Sequence, residues 1–208
     1  VKRRLSLMLG VVCLLGAAAV VNATTVVRMD TPELVARAQL VVQGTVVANE
    51  VVYEDGPNGP ANVRTVTTIE VTESFKGDAG TTVKVAGFGG QVGDLIYKVP
   101  GTPTFNVGDE AILMLSKPAP NQPNMKSFFA PLGQDGSLMV TGFSQGHLRI
   151  EDGARGKTVV RSDEGLEFAG AATVDTQTPR RSLSDAVNEI RTIVEVQRAA
   201  AENAGGGK

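Results

Sequence analysis

One histidine, His147, occurs in the 208 residues, and Ser144 and Asp152 flank it so closely that a nucleophile, a base and an acid share one short segment. Acyl transfer by such a trio needs an exposed serine on a sharp turn, and no Gly-x-Ser-x-Gly elbow surrounds Ser144. A single imidazole also lacks the partner ligands that zinc requires, so His147 reads as a structural residue. Gly87, Gly89, Gly90 and Gly93 form a second cluster, whose spacing misses the dinucleotide fingerprint at Val92. Strand-like Leu95-Ile96-Tyr97 follows where a phosphate cradle needs a helix start, so these glycines predict a bulged hairpin.

Three acidic groups could hold calcium: Glu54-Asp55 with Asn58, Glu151-Asp152, and Asp163-Glu164. Each sits near glycine in a loop, but none has the alternating ligand spacing of an EF-hand, and solvated turns are the reading. With no Trp and two Tyr, the usual sugar-stacking platforms are missing. Basic residues interleaved with aromatics are missing as well, which excludes a nucleic-acid partner. The sequence therefore assigns no catalytic residue, no cofactor-binding residue, no metal ligand and no cofactor.

The elements around these residues begin with an export leader. Lys2, Arg3 and Arg4 precede an apolar run from Leu5 to Val21, and Val21-Asn22-Ala23 ends in the small residues of a signal-peptidase site. About 20 apolar residues are needed to span a bilayer, so the shorter run predicts cleavage after Ala23 rather than an anchor. Cys13, the only cysteine, has bulky Val12 before it, unlike a lipid-modification site, and leaves with the leader. Val1 reads as an alternative start codon and points to a bacterial source. The exported chain, secreted or periplasmic, then starts at Thr24, has no disulfide and no transmembrane segment, and must rely on a packed core. Removing three basic residues makes the formal charge of −2 more acidic, which argues against anionic partners.

Asp30-Thr31-Pro32-Glu33 predicts a short helix with a hydroxyl cap and proline at its first position, ending near Ala38. Leu40 to Val47 is rich in β-branched residues and reads as a strand, with Gly44 marking a bulge. Turn residues at 55–60 lead to a second strand, Val63 to Glu73, where Thr65, Thr67, Ile69 and Val71 alternate with polar positions. Further strands are expected at Thr81 to Ala86, Leu95 to Val99, the strongly apolar Glu110 to Leu115, around Phe128-Phe129 and Leu138 to Val140 about the Asp135-Gly136 turn, and in a hairpin of His147 to Ile150 with Thr158 to Arg161. Lys117 to Asn124, with three prolines, reads as an exposed loop. Strands at this spacing predict an antiparallel sandwich or barrel. Residues 166–181 lack periodicity and read as a linker. Ser182 then caps an amphipathic helix over 182–204, with Leu183, Ala186, Val187, Ile190, Ile193 and Val194 on one face, before a disordered tail at 205–208.

Several segments carry a resemblance. Ala38-Gln39-Leu40-Val41-Val42-Gln43-Gly44-Thr45-Val46, then Ile69 to Gly77 ending in Phe75-Lys76-Gly77, then Phe105-Asn106-Val107-Gly108-Asp109-Glu110-Ala111-Ile112-Leu113 resemble a family of uncharacterised exported bacterial β-proteins. Val140 to Ile150 resembles that family's closing signature, so the likeness spans about Val35 to Arg161. More distantly, the order of short helix, strand ending in Lys-Gly and Gly-Asp turn into an apolar strand is similar to netrin-like domains and tissue inhibitors of metalloproteinases. That resemblance implies a five-stranded OB-type barrel. Those inhibitors place an N-terminal cysteine on the protease zinc, whereas this chain offers Thr24, so zinc blocking does not carry over.

The fold expected is mainly β: an antiparallel OB-like barrel or sandwich with a short N-terminal helix and a C-terminal amphipathic helix, the β-barrel domain occupying 24–165. Three functions compete. A secreted, non-enzymatic binding module with a protein partner, protease-associated or inhibitor-like, leads. An envelope-associated structural protein docking through its C-terminal helix comes second, and a hydrolase is third because no paired constellation is visible.

Overall fold

The computed structural model describes residues 24–57, 59–118, 136–163, 165–169 and 180–205. The leader with Cys13, Asn58, most of the proline loop with Phe128-Phe129 and Asp135, Glu164, the middle of the expected linker and the last three residues lie outside the described residues. In chain order the elements are β1 (Thr24–Val26), α1 (Thr31–Arg37), β2 (Leu40–Gly56), β3 (Gly59–Lys76), β4 (Thr82–Val92), β5 (Leu95–Lys98), β6 (Glu110–Ser116), β7 (Met139–Val140), β8 (His147–Gly153), β9 (Gly156–Arg161), β10 (Leu166–Phe168), β11 (Arg181–Ser182) and α2 (Leu183–Gly205). One antiparallel sheet runs β11-β9-β8-β6-β2-β3-β4-β5, with β7 paired to β6 off this path.

The most apolar segment forms the centre. β6 lies between β2 and β8, and its alternation sends Ile112 and Met114 to one face and Ala111, Leu113 and Leu115 to the other. All five side chains are buried, which is why the strand reads as a continuous apolar run. On the first face they meet Leu34 and Val35 of α1 and Ala186, Val187 and Ile190 of α2. On the second they meet Val42 and Val46 of β2, Ile69 of β3, Val83 and Val85 of β4, and Leu138 and Val140. The sheet thus carries helices on one side and curls over its own apolar face on the other.

Gly44 permits that curl. The β2–β3 register shifts between Gln43 and Gly44, and a Cβ on Gly44 would run into the Glu70 carbonyl oxygen and the Ile69 side chain. Leu138 then ties β4 to the segment entering β7: its N–H donates to the Lys84 carbonyl at 2.9 Å and its carbonyl accepts from the Ala86 N–H at 2.7 Å. The sheet path itself stays open, with β5 and β11 at its ends. No closed barrel is found among the described residues, so the expected OB-like barrel is met at the coarser level of a mainly β, antiparallel sheet with two helices.

Local chemistry accounts for the helix ends. Asp30, not the Thr31 hydroxyl, caps α1 by accepting from the Glu33 N–H at 2.8 Å, and Thr31 instead accepts from Arg161 at 3.0 Å. At the other end the Lys76 ammonium donates to the Val35 and Ala36 carbonyls. Ser182 caps α2 as its sequence suggests, accepting from the Asp185 N–H at 3.1 Å.

Three expectations differ from what forms. β2 and β3 run 17 and 18 residues, and Asp55-Gly56 pairs with Gly59-Pro60 at the end of their hairpin, where the sequence predicts a loop between short strands. Gly87, Gly89 and Gly90 lie inside β4, and only Gly93 sits at the turn. The stretch read as a linker carries strands at both ends, β10 in parallel with β1 and β11 against β9. No helix among the described residues is long and apolar enough to cross a membrane.

Candidate functional site

The candidate catalytic residues are scattered. His147 and Ser144 are 3% and 1% exposed, so neither reaches solvent. Asp152 is exposed at the far end of β8, five residues on, roughly 16 Å along an extended strand. Burial pushes the imidazole down to about 4, Arg149 pushes the same way and Asp109 opposes both. The ring is therefore neutral and packs against Phe105, ring centres 4.8 Å apart. It is a core residue touching the back of a groove wall.

The acidic groups are engaged by neighbours. Glu54 accepts from Asn62 at 2.7 Å, Glu151 pairs with Arg149 and Arg180, and Asp163 pairs with Arg28. No cluster of three or more potential metal ligands occurs among the described residues.

A groove of about 750 Å³ lies elsewhere, on β2, β3, β4, β5 and the segment 99–105. The long hairpin supplies Asn49, Thr65 and Thr67, β4 supplies the glycine-rich run 87–91, and β5 supplies Ile96, Tyr97 and Lys98. Among its described lining residues Lys98 carries the only formal charge, and none is a carboxylate or an imidazole.

Asn49, Thr65 and Thr67 are tied to one another or to backbone carbonyls, whereas the buried Thr102 hydroxyl has no partner. Thr67 donates to the Asn49 side-chain carbonyl at 2.7 Å, and the Asn49 amide donates to the Phe105 carbonyl at 2.9 Å. Thr65 donates to the Gly89 carbonyl at 2.9 Å. The Thr67–Asn49 relay ties Phe105, at the end of the segment 99–105, to the hairpin. Gly89, at φ 88°, adopts backbone that other residues rarely reach, and a Cβ there would strike the Tyr97 carbonyl. Glycine is thus what lets β5 approach β4 at the rim.

The other wall rests on the beginning of the described chain. Thr24 donates through its hydroxyl to the Pro100 carbonyl at 2.6 Å and through its N–H to the Gly165 carbonyl at 3.1 Å. Gly101 packs so closely on Leu166 of β10 that a Cβ would collide with it. The β1–β10 pair therefore braces the segment that lines the groove.

Sequence reasoning singled out Gly87, Gly89 and Gly90, which do lie here, but missed Asn49, Thr67 and the segment 99–105. One signal was present: Thr65 and Thr67 occupy the inward positions of an alternating strand, where two hydroxyls on an apolar face call for partners. A second concavity, of about 440 Å³, lies at the start of α2 among Arg155, Lys157, Ser184 and Arg191. Its cations are partly committed, Lys157 to Glu110 and Arg191 to Glu73. No protein-family model and no curated protein matches the chain.

Proposed function

We propose that this chain is an exported, non-enzymatic binding module of OB type, and that the groove takes an uncharged segment of a protein partner. The single observation that carries the reading is the lining of the groove: amides, hydroxyls, aromatic rings and glycine backbone, with one cation, Lys98, among its described residues and with Asn49, Thr65 and Thr67 held by hydrogen bonds. Among its described lining residues only Tyr97 and Lys98 are titratable, and neither has a carboxylate or imidazole beside it there to act as its partner. The groove does have shape, apolar area and a few fixed polar groups, which is what a binding site needs.

Two further observations support the finer parts. In the OB-type reading the ring is β6-β2-β3-β4 followed by Leu138 and β7 back to β6, and the parallel bridge between Val85 and Leu138 supplies the one parallel contact. The second apolar cluster would then be the barrel interior. For export, the basic start and apolar run ending at Val21-Asn22-Ala23 support a cut after Ala23, and the contacts described for Thr24–Val26 lie on the retained side of it. Docking through α2 is the weaker reading, since Ala186 and Ile190 are spent on the chain's own core.

The test is selection of linear peptides from a displayed library on the processed chain, followed by a groove-filling substitution. Thr104 is exposed and lines the groove, so Thr104→Trp leaves the core alone. Selected peptides should lose binding to that variant. Undiminished binding to Thr104→Trp would place their site elsewhere and overturn the reading.

A further inference from the structure

β5 ends the sheet, and among the described residues nothing pairs with its outer edge. It is a four-residue strand whose Leu95 and Ile96 are 56% and 64% exposed, unusual for large apolar side chains on an open edge. Val92 pairs with Leu95 across a two-residue turn with Gly93 at φ 60°, so that pair exchanges hydrogen bonds. Antiparallel pairs alternate, which makes Gly90–Tyr97 the next bonded pair and leaves Gln91–Ile96 and Gly89–Lys98 unbonded. The N–H and carbonyl groups of Ile96 and Lys98 therefore point away from β4, toward the outer edge of the strand.

We propose that the partner segment enters as an extended strand added to the outer edge of β5. This rests on the groove reading above and names the form of its occupant. An edge of alternating donors and acceptors is matched by another polypeptide backbone, and every second side chain of an added strand falls on the groove side. The uncharged lining suits apolar or hydroxylated side chains there, and Lys98 at the rim suits an acidic residue or a carboxylate end. A second copy of the chain is the poorer occupant. Two such edges meet over about 13 Å of strand, too short a contact to bury the roughly 1,200–2,000 Å² of a stable protein interface.

Amide hydrogen exchange of the processed chain, with and without a peptide selected from the linear library, tests this directly. The Ile96 and Lys98 amides should gain protection when peptide is added, while Leu95 and Tyr97, already bonded to β4, should change little. Ile96→Pro removes one outward donor without touching the β4 ladder, and should weaken peptide binding about tenfold at most, the worth of one hydrogen bond, with an unchanged melting point. If Thr104→Trp abolishes binding while Ile96 and Lys98 stay unprotected, the groove reading stands and strand addition is wrong. If Thr104→Trp leaves binding intact, the groove reading itself fails. Protection of Ile96 and Lys98 that rises with protein concentration in the absence of peptide would make a second copy the occupant and overturn the proposal.

Discussion

The side-chain carbonyl of Gln145 accepts a 2.8 Å hydrogen bond from the backbone N–H of Met29, 116 residues earlier in the chain. The same side chain donates to the Val27 carbonyl at 3.1 Å, and Arg161 donates to the Met29 carbonyl at 3.0 Å. Gln145 is buried, so it acts as an internal clasp on the segment between β1 and α1. Gln145→Leu should cost about 1–3 kcal/mol, the penalty of an orphaned buried polar group. Denaturant unfolding measures it, and an unchanged midpoint would show that water replaces the clasp freely.

The bracing of the groove wall by β1 gives a second expectation. Exported protein should begin at Thr24, as intact mass will show, and deletion of Thr24–Val26 should loosen the segment 99–102 with the central core retained. Amide exchange at Gly101 and Thr102 reads this out. Equal protection in the shortened chain would remove β1 from the account of the groove.

Leu113 is fully buried on the curled face of β6. Leu113→Ala should cost about 2–5 kcal/mol, as large-to-small core changes do. Val107, 65% exposed, is the internal control, and Val107→Ala should stay within about 0.5 kcal/mol. Similar losses for the two would misplace the core.

Ile190 decides between two uses of the C-terminal helix. It is fully buried in the cluster that contains Leu34, Val35 and Met114. Ile190→Asp should lower the melting temperature by several degrees, because an unpaired carboxylate enters an apolar site. An unaltered melting temperature would mean that the helix does not pack on the sheet.

The pH dependence of stability should carry the signature of His147. Its folded value, about 4, lies below the ordinary 6.5, so the unfolded chain binds the extra proton more readily. The contribution is full above pH 6.5 and is lost as pH falls toward 4, amounting to about 3 kcal/mol over that window. His147→Gln should flatten the slope between pH 6.5 and 4. Identical slopes in the two proteins would assign the acid sensitivity to other groups.

Local patterns made part of this molecule legible. The apolar run in β6, the bulge glycine Gly44 and the helical spacing of Ala186, Val187 and Ile190 each encode their own burial in neighbouring residues. The groove was not legible, because its parts meet across the chain: Asn49 with Phe105, Thr65 with Gly89, Thr24 with Pro100. Periodicity reports which face of an element is buried, but not which distant carbonyl its hydroxyl will find. The length of β2 and β3 was hidden for a related reason. Beyond Val46 β2 is mostly exposed, and the end of the hairpin past Arg64, where β4 no longer pairs, is held by its own two-stranded ladder and lacks the apolar alternation that announces a strand.

The most direct measurement is an amide NMR titration of the nitrogen-labelled processed chain with a selected linear peptide. The account predicts shifts concentrated at Asn49, Thr65, Thr67, the glycine run of β4 and the segment 99–105, abolished by Thr104→Trp. Shifts gathered instead at α2 or around Arg155 and Lys157, with the groove unperturbed, would contradict it.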